Sequence, residues 1–102
     1  MFRWVRTAKI AKGRVPQAIG FAKEISAFSQ KKFATPEIRV YLDVTGDVGT
    51  VRWEMDFADL ATFEKVQTAV MMDADYWQHI TKANKDELFI DGTTTDSLMK
   101  QI

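Results

Sequence analysis

At 102 residues the chain has room for one domain with one core, and 46% apolar with 12% aromatic content sets it apart from disordered sequences. Fourteen basic residues cancel fourteen acidic ones, so no positive field draws in a phosphate backbone, and nucleic acid is not expected as a partner. The absence of cysteine excludes a disulfide framework, a thiolate zinc site and a Cys nucleophile. No apolar run approaches the roughly 18–20 residues that cross a bilayer, and Met1–Arg6 has no signal-peptide core. No membrane association is expected, and the default compartment is cytoplasmic.

Residues 2–11 read as a first strand, with Phe2, Trp4, Ala8 and Ile10 on one face and Arg6 interrupting it. Lys12-Gly13-Arg14 is a turn, and Pro16 suits the first helical position, where its missing N–H is not needed. From Pro16 to about Phe33, Ala18, Phe21, Ala22, Ile25 and Phe28 follow helical spacing; Gly20 costs this helix about 1 kcal/mol relative to alanine. Thr35-Pro36 ends the segment.

Residues 38–57 carry the clearest pattern. Ile38, Val40, Leu42 and Val44 alternate with polar residues, and Val51, Trp53, Met55 and Phe57 do the same after the turn Gly46-Asp47-Val48-Gly49. This predicts an antiparallel hairpin. Pairing Thr45 with Thr50 sets Asp43 against Arg52 and Arg39 against Asp56 on one surface. It sets Val40 against Met55 and Leu42 against Trp53 on the other.

Asp59 is the expected N-cap of a second helix bearing Leu60, Phe63, Val66 and Val70. Asp73-Ala74-Asp75 breaks it and caps a further piece, Ala74 to Asp86. After Leu88-Phe89-Ile90 and the turn Asp91-Gly92, Thr93 to Ile102 is expected to form a last strand. The order is β-α-β-β-α-β: an α+β, ferredoxin-like domain spanning residues 1–102, with an antiparallel sheet and helices on one face.

The strand Arg6-Thr7-Ala8-Lys9-Ile10, the turn Lys12-Gly13-Arg14, the segment Trp53-Glu54-Met55-Asp56-Phe57-Ala58-Asp59, Phe63 and Asp73-Ala74-Asp75-Tyr76-Trp77 carry a resemblance that spans the chain. In these the sequence resembles the dimeric α+β barrel superfamily, especially its NIPSNAP-like and antibiotic-biosynthesis-monooxygenase-like families. The resemblance implies a homodimer whose sheets face each other, and a small-molecule pocket between sheet and helices. Members include cofactor-independent monooxygenases, haem-binding degraders and proteins without assigned activity, so no reaction follows from it.

Arg6 and His79 are the catalytic candidates. Arg6 breaks an apolar face directed at the helices, where active relatives place a polar group, and a guanidinium there binds a carboxylate or phenolate bidentately. The plainer reading is an Arg whose stem packs on apolar neighbours while its head reaches an acidic residue or solvent. His79 is the only histidine and so the first place to look for a base near neutral pH. The resemblance puts the haem-degraders' histidine nearer Trp77, and a lone histidine does not make a zinc site, so no metal site is expected. Trp53, Phe57, Tyr76 and Trp77 are candidates, with Arg6 and His79, to line a pocket for an aromatic ligand, although aromatics at strand and helix periods are more often core.

Three functional readings result. The first is a cofactor-independent, monooxygenase-like enzyme or binder of a small apolar or aromatic molecule. The second is a non-catalytic structural or regulatory dimer module, and the third a haem-binding protein.

Overall fold

The computed structural model describes residues 1–46 and 48–102, so Asp47, within the expected hairpin turn, lies outside the described residues. The elements are β1 (Phe2–Lys9), α1 (Val15–Phe33), β2 (Arg39–Leu42), β3 (Thr50–Phe57), α2 (Leu60–Met71), α3 (Ala74–Lys85) and β4 (Thr95–Lys100). The strands form one sheet in the order β2-β3-β1-β4, with every neighbour antiparallel. The expected ferredoxin-like α+β architecture is present, its second helical unit broken into α2 and α3.

The hairpin register differs from the expected one by two residues. Arg39 lies opposite Glu54, Val40 opposite Trp53, Tyr41 opposite Arg52 and Leu42 opposite Val51, and the Asp43 N–H bonds the Thr50 carbonyl at 3.0 Å. The reason lies in the strand's period: a slip of two leaves every side chain on its own face, so alternation alone does not distinguish the two registers. The charge pairs do not distinguish them either, because long side chains also reach diagonal partners. Arg39 still meets Asp56 at 3.2 Å and Arg52 meets Asp43 at 3.4 Å.

Helix boundaries follow local chemistry. α1 begins at Val15, one residue before Pro16, and ends at Ala34 in the left-handed conformation with φ 50°. The Asp59 carboxylate accepts from the Thr62 N–H at 2.8 Å, and Asp73 accepts from Tyr76 at 2.9 Å, the two expected N-caps. The Leu88–Ile90 run forms no full strand but bridges Ile10 through Phe89. The last strand is shorter than the pattern suggests, six residues from Thr95 to Lys100.

Register places Phe2, Trp4, Arg6 and Ala8 on the same face as Val51, Trp53, Met55 and Phe57. That face carries the core. Ala18, Ala22 and Ile25 of α1 join Ala8, Val51, Trp53, Tyr76, Ala83 and Leu88 in one buried cluster. α2 is different, because none of its twelve residues is buried. Its clearest anchor is Phe63, edge-on against Phe57 at 5.3 Å.

Trp53 sits mid-strand in the cluster, 6.0 Å from the Phe89 ring. Truncation to alanine leaves a large cavity, so Trp53→Ala should lower unfolding free energy by about 3–5 kcal/mol in urea titration. Unchanged stability accompanied by loss of ligand binding would make it a ligand contact instead.

Candidate functional site

Arg6 does project toward the helices, and there it meets a partner from its own chain. Its Nε and one terminal nitrogen donate to the two Asp96 carboxylate oxygens at 2.7 and 2.8 Å, a bidentate pair across β1 and β4. The other terminal nitrogen donates to the Tyr76 hydroxyl at 3.2 Å, and the guanidinium lies 5.2 Å from the Trp4 ring. The Asp96 hydrogen bonds raise the Arg6 pKa further above its ordinary value. Asp96 supplies the negative charge, so no external anion is needed to neutralise Arg6. Asp96 carries no signal in the sequence, because it lies 90 residues from Arg6 on a short strand without strict alternation.

The other candidates fall into separate places. Tyr76 is buried beside Arg6, and Trp53 lies directly across from Arg6 on β3. The Trp53 indole N–H is buried without a hydrogen-bond partner among the described residues. Trp77 donates its indole N–H to the Met71 carbonyl at 2.8 Å, which ties the end of α2 to α3. Phe57 is fully buried under Phe63.

His79 lies elsewhere, on the α3 surface that faces α1. Its ring packs on Phe28 at 4.6 Å between centroids, and its Nδ1 is 3.6 Å from a Glu24 carboxylate oxygen. That separation is an ion-pair distance when the imidazole is protonated and longer than a hydrogen bond. Next to it opens a cleft of about 530 Å³ between α1 and α3, with Gly20, Phe21 and Glu24 on one wall and His79, Ala83 and Leu88 on the other. Arg14, Lys82 and Lys85 line it too, as do Asp86 and Glu87, so its charges are mixed. Arg6 does not line it. Of the cleft residues, sequence singles out His79 as the lone histidine and Gly20 as a glycine inside a helix, while Glu24 looks like an ordinary position on an amphipathic helix.

Two fastenings hold the cleft walls. At one end Lys32 of α1 bridges Asp73 and Asp75 at 2.7 and 2.8 Å, and the Lys32 hydrogen bond holds the Asp73 carboxyl below the usual carboxylate range. At the other, the Ala11 N–H bonds the Leu88 carbonyl at 2.9 Å. No group of three or more potential metal ligands occurs among the described residues.

Comparison with known proteins places the fold. No family model and no curated protein matches the sequence. Solved structures do. A NIPSNAP family protein of unknown function from Agrobacterium tumefaciens superposes with a TM-score of 0.80 at 17% identity, over 99% of this chain and 87% of that one. An uncharacterised NIPSNAP domain protein from Burkholderia xenovorans gives 0.77 at 11% identity, over 100% and 95%. An antibiotic biosynthesis monooxygenase gives 0.71 at 11% identity, over 100% and 99%. The chain therefore has the fold of the NIPSNAP and antibiotic-biosynthesis-monooxygenase proteins, as the sequence resemblance implied. Among the described residues, no helix is long and apolar enough to cross a membrane.

The Arg6–Asp96 pair is open to solvent, with side-chain exposures of 31% and 40%, so screening limits its contribution. A double-mutant cycle of Arg6→Met and Asp96→Asn in urea unfolding should give a coupling of about 1 kcal/mol. A coupling near zero would remove the structural role from Arg6 and leave its charge free for a ligand.

Proposed function

We propose that the chain is a homodimeric α+β barrel protein that binds a small apolar or aromatic molecule in the α1–α3 cleft, with His79 as the polar group that orients it. The cleft carries this reading. Its volume, about 530 Å³, lies within the range that encloses small organic ligands. Phe21 and Leu88 supply apolar wall, and His79 supplies ring nitrogens that can donate and accept hydrogen bonds. The fold shared with an antibiotic biosynthesis monooxygenase extends the proposal to oxygenation of the bound molecule by O2 without a cofactor, the molecule itself supplying the electrons, one oxygen atom entering it and the other leaving as water.

Thermal-shift and protein-observed NMR titration with aromatic acids, quinones and hemin tests the binding. Saturable shifts at the Phe21, His79 and Leu88 amides are expected, and His79→Gln should weaken affinity by about two- to tenfold, the worth of one hydrogen bond. Shifts confined to the surroundings of Arg6 and Tyr76 would move the site to the sheet–helix layer. A Soret band with hemin that disappears in His79→Gln would support the haem reading.

A second reading, a dimer module without catalysis, draws on Arg6: the polar group of β1 is already occupied by Asp96. Oxygen uptake with phenols and quinols separates the two. Both readings share the dimer. The sheet face away from the helices carries Tyr41 and Met99, about half exposed, beside a network in which Arg3 and Arg39 both reach Asp56. Covering this face in a stable dimer should bury about 1,200–2,000 Å² in total. Light scattering at tens of micromolar should therefore report twice the 11.7 kDa chain mass, and a monomer would refute the dimer.

A further inference from the structure

Gly20 sits in the interior of α1, a nineteen-residue helix, where glycine weakens the helix relative to alanine. Neither of the usual reasons for glycine applies. Its backbone is not among the residues with positive φ, and a Cβ built on it meets no atom within 4 Å beyond its chain neighbours and its own helix backbone. No neighbouring backbone or side chain needs the space. The space is nevertheless not featureless solvent, because Gly20 is part of the wall of the α1–α3 cleft, next to Phe21 and one turn before Glu24. The positions one turn to either side, Gln17 and Glu24, both carry long side chains that line the same cleft. Gly20 is the gap between them.

We infer that Gly20 sets the capacity of the cleft, its missing side chain leaving room for the ligand to lie against the α1 backbone and the Phe21 ring. This rests on the proposed ligand-binding function of the cleft and assigns it a residue that determines ligand size. A flat aromatic molecule fits such a gap, since a planar face approaches a helix closely only where no Cβ stands between them. Glycine permits the close approach and exposes the backbone there.

The test compares the wild-type chain with Gly20→Ala and Gly20→Leu. 1-Anilinonaphthalene-8-sulfonate and menadione serve as aromatic probes, and amide shifts and melting temperature are followed together. Both substitutions suit a helix, so both should fold, and Gly20→Ala should melt higher by several degrees. Binding should fall in order of side-chain size, by about threefold or more for alanine and beyond detection for leucine, with the loss greatest at the Phe21 and Ala83 amides. Probe binding that is unchanged in both variants would overturn the role of Gly20 and leave the cleft as a binding site. If neither probe gives saturable shifts at cleft amides in the wild-type chain, the ligand reading of the cleft fails and the role of Gly20 fails with it. A lower melting temperature for Gly20→Ala would also count against the inference, because it would reveal a structural need for glycine.

Discussion

The burial of small residues where α1 covers the sheet governs the rest of the architecture. Ala18 and Ala22 are fully buried and Ala8 nearly so. Small residues at such a seam occupy little volume, and bulky side chains must fill the spaces to either side. On one side Phe21 meets Phe89 at 5.8 Å, and Phe89 meets Trp53 at 6.0 Å. This run of rings leads from the middle of the sheet out to the wall of the α1–α3 cleft. Core packing and cleft are therefore parts of one arrangement.

α3 is held against this framework by polar contacts at its start and backbone contacts beyond its end. Lys32 draws in the first turn of α3 through Asp73 and Asp75, while Ala11 and Leu88 fasten the chain that leaves its last turn. Asp75 near the start and Lys82 and Lys85 near the end also complement the helix dipole. Fixed at both ends, the two helices keep an opening between them at Gly20 and His79. α2 buries no residue of its own and is anchored by the Phe57–Phe63 contact, by Val70 against the core cluster and by the Trp77 indole bond to Met71.

The two sheet faces handle charge differently. On the open face Arg3 and Arg39 share Asp56, whose carboxyl is held below its usual range chiefly by the Arg3 hydrogen bond. Such ladders at a solvent surface contribute little stability singly and do more for the choice of partner. On the helix face, Arg6 is set among aromatic rings with Asp96 across the strand boundary. The same residue type thus has two roles according to which face its parity selects.

Much of the fold was legible in local pattern. Alternation along 38–57 marked a hairpin, helical spacing from Pro16 to Phe33 marked α1, and Asp59 and Asp73 marked two helix starts. Each of these signals is carried by neighbours in the chain, whose backbone geometry dictates the period. The sequence by itself thus determined the order and type of the main elements, and the apolar face of β1, β3 and α1. It could not choose between hairpin registers two residues apart, because both satisfy the same alternation and the same charge pairs. Nor could it join Arg6 to Asp96, 90 residues away, or His79 to Glu24 and Gly20. Those meetings depend on how β4 returns beside β1 and how α3 lies along α1. Tertiary structure alone decided them, because a contact between distant segments is set by the packing of whole elements and leaves no period in either one.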